Sequence, residues 1–177
     1  KRLLSPLTIT LGDEFQGIAR SLEDSISLII KIEEKIVHLQ KNIKLRYVLN
    51  HGFIDTKINP DIAYGMLGEG LTHARQLLEL SKSERRDRFN INLNNEYLAE
   101  VLDLAFVGFQ SIIDDWRLKD FELVSAFLKF KGDYKKVASE INKDNSSVFR
   151  RRDSLQIKEY FSSRKLLFNL TKSNNSD

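Results

Sequence analysis

Two stretches of this sequence carry residues whose types and spacing could do chemistry. The first is TITLGDEFQG, residues 8–17, where Gly12, Asp13 and Glu14 interrupt strand-like alternation. Adjacent carboxylates on a tight turn offer hard oxygen ligands of the kind Mg²⁺ takes, one or two at a time, together with substrate phosphates. The second is YKKVASEINKDNSSVFRRRDSL, residues 134–155. Ala138 is small enough for a second helix to cross closely. Asn142 tolerates a left-handed turn. Val137, Ile141 and Val148 have the spacing to hold two helices together, and Asp144 or Asn145 can cap the second one. The open side of that helix then carries Asn145, Ser146, Ser147, Arg150 and Arg151, flanked by Lys143 and Arg152. Asn and Ser reach base edges in a major groove, and Lys and Arg reach phosphates. Each stretch also has a plainer reading: an ordinary acidic turn, and a helical bundle with a solvated basic face.

These residues need elements to position them. Leu7–Thr10 and Phe15–Ile18 read as two short strands around the acidic turn. Ser21 caps a long amphipathic helix over 21–40, with Glu23 and Asp24 at its positive end and Leu22, Ile26, Ile29, Ile32, Ile36 and Leu39 on one face. Period-two alternation predicts strands over Ile43–Asn50, Phe53–Asp55 and Arg88–Leu93, with a helix over Leu71–Leu80 between the last two. Two helices on one face of a largely antiparallel sheet would bury both apolar faces. From Asn95 onward only helical patterns follow: a connecting helix containing Tyr97–Ile113, then Leu118–Phe130, Tyr134–Ile141, Asn145–Leu155 and Lys158–Leu170. The chain is thus divided into an α/β domain over 1–100, a connecting helix over 101–116 and a helical domain over 117–177. The polar end SNNSD is expected to be a disordered tail.

Composition narrows the classes. The 177 residues contain no cysteine, which excludes a disulfide framework and a thiolate zinc site. No apolar run reaches membrane-spanning length, so no membrane partner is expected, and the lack of cysteine fits a reducing cytoplasm, the expected location. A net charge of +3 is too small to argue for nucleic acid. Its distribution says more. Between Lys131 and Lys165 there are ten basic and five acidic residues, so the positive charge gathers around the second stretch.

The first stretch, read with LRYVLNHGFID at 45–55 and AYGMLGEGLTHAR at 63–75, resembles the metal-binding hairpin and following segments of class III nucleotide cyclases and GGDEF diguanylate cyclases. Trp116 and SSVFRRR at 146–152 complete a pattern that more specifically resembles the SatD family. The resemblance implies an α+β fold: a ferredoxin-like, nucleotide-cyclase-like α/β sandwich followed by an all-α helix-turn-helix domain. It also implies a degenerate corner at which Asp13 and Glu14 would hold Mg²⁺ and Arg75 the phosphate of a nucleotide. Two departures stand against catalysis. Leu71 occupies the position four before Arg75 where cyclases have an Asn, and the first metal aspartate would belong on a strand before residue 1. The expectation is therefore a homodimeric DNA-binding regulator with a sensing or dimerisation domain. The alternatives are a metal-dependent nucleotidyl cyclase or phosphotransferase using Asp13 and an upstream aspartate, and an interaction module that does not bind DNA.

Overall fold

The computed structural model describes residues 2–83 and 87–172. The tail expected to be disordered lies outside the described residues. The fold is mixed α+β. β1 (Leu3–Leu11) pairs antiparallel with β2 (Glu14–Ala19). Gly12 turns the hairpin at φ +57°, a left-handed conformation that glycine adopts without a Cβ penalty. The Ser21 hydroxyl then accepts from the Asp24 N–H at 3.1 Å and starts α1 (Leu22–His38).

The middle of the chain departs from the expected antiparallel sheet. β3 (Tyr47–Asn50) and β4 (Phe89–Asn92) pair parallel, from Tyr47 opposite Phe89 to Asn50 opposite Asn92. Their connection is α2 (Glu69–Ser83), and a crossover helix is what lets consecutive strands run parallel. The described strands form two two-stranded sheets rather than one. The expected strand at Phe53–Asp55 does not form, because its backbone is engaged elsewhere. The Phe53 carbonyl accepts from the Gly70 N–H at 3.0 Å, and the Asp55 N–H donates to Leu67 at 2.9 Å. A Cβ on Gly70 would sit 2.7 Å from the Gly52 backbone, so this close approach requires glycine.

Six further elements follow among the described residues. Asn95 caps α3 (Glu96–Asp115), accepting from the Leu98 N–H at 2.9 Å. A single 3₁₀ turn (Leu118–Asp120) leads into α4 (Phe121–Lys129). Then come α5 (Tyr134–Glu140), α6 (Asn145–Ser154) and α7 (Ile157–Lys172). No helix among the described residues is long and apolar enough to cross a membrane.

One apolar core runs through both halves. α3 buries Leu98, Leu102, Phe106, Phe109, Ile112 and Ile113, the stripe that helical periodicity places on one side. A chain of rings crosses the molecule: Tyr47 stacks on Phe89 at 5.2 Å, Phe89 on Phe106 at 4.8 Å, and Phe109 meets Tyr160 of α7 at 5.6 Å. Trp116 lies 5.0 Å from Tyr160 and donates from its indole N–H to the Leu155 carbonyl at 2.8 Å. A buried charge network lies alongside. Arg88 donates to Glu33 at 2.6 Å, to Asp114 at 2.5 Å and to the Leu45 carbonyl at 2.8 Å, while the Tyr47 hydroxyl donates to Glu33 at 2.7 Å. Burial works against the Arg88 charge, but Glu33 and Asp114 more than offset it and hold its pKa above the usual value.

Candidate functional site

Asp13 and Glu14 have different surroundings although they are adjacent. Asp13 stands exposed at the hairpin tip. Glu14 opens β2 and accepts from the Lys82 ammonium of α2 at 2.6 Å. Lys82 also meets Glu79, one turn earlier, at 3.3 Å. Arg75 lies on the same helix seven residues before Lys82 and adds its field at Glu14. The hydrogen bond from Lys82 is the main cause that holds the Glu14 carboxyl below the usual range, and the same bond raises Lys82. The corner thus brings Glu14 and Arg75 into one electrostatic neighbourhood and leaves Asp13 as its one uncommitted carboxylate. Among the described residues no group of three or more histidines and carboxylates comes together to hold a metal ion. This donor set does not fit a two-metal arrangement.

The α5–α6 region is built as its sequence requires. Asp133 caps α5, accepting from the Lys135 and Lys136 N–H groups at 3.1 and 3.3 Å. Asn142 takes φ +50° in the turn, and the Lys143 N–H closes that turn on the Ala138 carbonyl at 3.0 Å. The Asp144 carboxylate accepts from the Ser147 N–H at 2.9 Å and starts α6. Val137, Ala138 and Val148 are buried between the two helices.

The basic residues of α6 divide into two groups. Arg151 points back to the 3₁₀ turn and donates to Asp120 at 2.6 Å. Arg152 lies over the Phe149 ring at 4.4 Å and the Tyr134 ring at 5.5 Å, and its Nη2 donates to Asp153 at 2.9 Å. Such cation–π contacts contribute about 0.5–1 kcal/mol at exposed sites. Lys143, Asn145, Ser146 and Arg150 are exposed, with side chains that no group among the described residues engages. Ser147 is half-buried near the cap. The available polar face of α6 is therefore Lys143, Asn145, Ser146 and Arg150, while Arg151 and Arg152 hold the helix to its neighbours.

One polar cluster was not singled out in the sequence. Asn50 and Asn92 end the parallel strands in register, and Asn92 donates to Asn50 at 2.5 Å. Asn50 donates to the Gly70 carbonyl at 2.8 Å, and His73 stands 3.5 Å from Asn92. Carboxyl ends of parallel strands are where ligands bind in open α/β sheets. The signal was an Asn closing each of two apolar alternations, which becomes meaningful only when the strands are known to be parallel.

No curated protein and no solved structure matches the chain. The family model described as the SatD family matches residues 1–171, and the chain belongs to that family.

Proposed function

We propose that the protein is a DNA-binding regulator in which α5, the Asn142 turn and α6 act as a helix-turn-helix. α6 presents Asn145 and Ser146 to the major groove, and Lys143 and Arg150 meet phosphates. The observation that carries this reading is the division of labour along α6. Lys143, Asn145, Ser146 and Arg150 are uncommitted, while Arg151 and Arg152 are used to fix the helix. A preset helix loses less conformational entropy when it docks. The N-terminal half, with its cyclase-like hairpin, serves as a degenerate sensing or dimerisation domain, and no reaction is assigned to it. A homodimer would place two such helices on two half-sites.

The test is binding to a random-sequence duplex pool over a salt series. The reading expects salt-dependent binding that Arg150→Ala weakens and whose salt slope falls by about one. No binding at low salt, or binding indifferent to Arg150→Ala and Asn145→Ala, would overturn it.

A further inference from the structure

A cavity lies on a side of the helical half that the DNA reading does not use. It measures about 330 Å³ and opens between the α4–α5 turn and α7. Its floor is apolar: Phe161 and Ile157 lie against Gly132, where a Cβ would meet the Phe161 ring at 3.3 Å. Lys131 and Gly132 both take left-handed backbone, at φ +53° and +80°, and this double turn shapes the rim.

The walls are cationic. Lys158, Ser162 and Lys165 are spaced by four and three residues, so they share one face of α7. Lys131 stands on the turn, and Arg152 comes from α6 with its guanidinium already held by two rings and Asp153. No carboxylate lines the cavity. Lys131, Lys158 and Lys165 have no ion pair among the described residues, whereas Lys82, Lys129 and Lys136 each have at least one. Cations gathered round a concave surface repel one another and focus their field into it. An anion there would relieve the repulsion and accept the Ser162 hydroxyl proton in a hydrogen bond.

We propose that this cavity binds a ligand carrying two or more phosphate groups. Three unpaired lysines, with Arg152 beside them already paired to Asp153, exceed what one phosphate needs. Lysine and arginine are the side chains that grip phosphate oxygens, as point charge and as fork respectively. The apolar floor gives room for a small organic group beside the phosphates. Two sources share this chemistry: a free polyphosphate or nucleotide, and consecutive backbone phosphates of DNA.

The experiment is calorimetric titration of the full chain with inorganic pyrophosphate near physiological salt, run beside the duplex salt series. Lys158→Ala/Lys165→Ala is compared with Lys31→Ala/Lys57→Ala, which removes the same charge outside the cavity, and circular dichroism checks that helicity is unchanged. Pyrophosphate binding that falls about tenfold or more in the first variant alone, and returns with arginine at both positions, supports a free ligand. Absent pyrophosphate binding, with a duplex salt slope reduced by about two in the first variant alone, assigns the cavity to DNA backbone. Neither effect, or equal loss in both double variants, overturns the proposal. The pyrophosphate arm does not depend on α6. Failure of Arg150→Ala to matter would sink the major-groove reading and leave this one standing.

Discussion

The hairpin and α6 both place charged side chains on a turn or a short helix, yet they rest on very different supports. The hairpin is one two-stranded sheet with Ile9 76% exposed. Phe15 packs against the shared core, and the polar ties are single: Glu14 to Lys82, Gln16 to the Ala63 carbonyl, and the Ala63 N–H to Thr8 at 2.9 Å. An isolated hairpin is marginal in water, so its charged residues are drawn into holding it. α6 rests on the shared core through Val148, with Leu155 buried just beyond its end, and only two of its arginines are needed for attachment. A well-anchored helix can leave polar side chains free, whereas a weakly anchored hairpin uses them structurally.

The largest test of that contrast removes support from the core side. Phe109 is fully buried and joins the two ring clusters, so Phe109→Ala should cost about 3–5 kcal/mol. Arg88→Met should cost a similar amount, because it leaves Glu33 and Asp114 without their buried cation. Ile9→Ser on the hairpin should fall within about 0.5 kcal/mol. Urea midpoints at unchanged m-value measure all three. A hairpin variant as costly as the core variants would break the comparison.

The next test separates the arginines. Arg150→Ala should weaken duplex binding, lower its salt slope by about one, and leave the urea midpoint where it was. Arg151→Ala should lower the midpoint instead, by about 1 kcal/mol or less, since its pair with Asp120 is partly solvent-screened. If both variants lost DNA and neither lost stability, α6 would not divide its charges in this way.

That division also marks where the sequence stopped being readable. Local rules were legible: Ser21 and Asp144 cap their helices, and Asn142 takes the left-handed turn. They depend on residues within four positions of each other. The partners of Arg151 and Glu14 were not legible, because Asp120 and Lys82 are 31 and 68 residues away in sequence. Parallel pairing of β3 and β4 was hidden for the same reason. Alternation shows which face of a strand is apolar but not its direction. Phe53–Asp55 misled because its alternation was real, while Leu67 and Gly70 had already taken its hydrogen bonds.

The smallest expected effect lies at the hairpin corner and is best read through pH. The Lys82 hydrogen bond holds the Glu14 carboxyl below its ordinary value. A carboxylate depressed in the folded state contributes stability above its unfolded pKa and loses it as pH falls through the folded one. Lys82 is raised by the same bond, so its share persists until pH climbs above the ordinary lysine range. The tie should therefore be constant across neutral pH and fade in acid. Glu14→Gln should lower the urea midpoint slightly at neutral pH, well below the effect of Arg88→Met, and the difference from the parent should shrink as the pH drops through the acidic carboxylate range. Lys82→Met should show the same acid convergence, because the two side chains form one bond. A Glu14→Gln difference that grew in acid, or that Lys82→Met did not share, would mean that Glu14 is not spent on holding the hairpin and is available for a ligand.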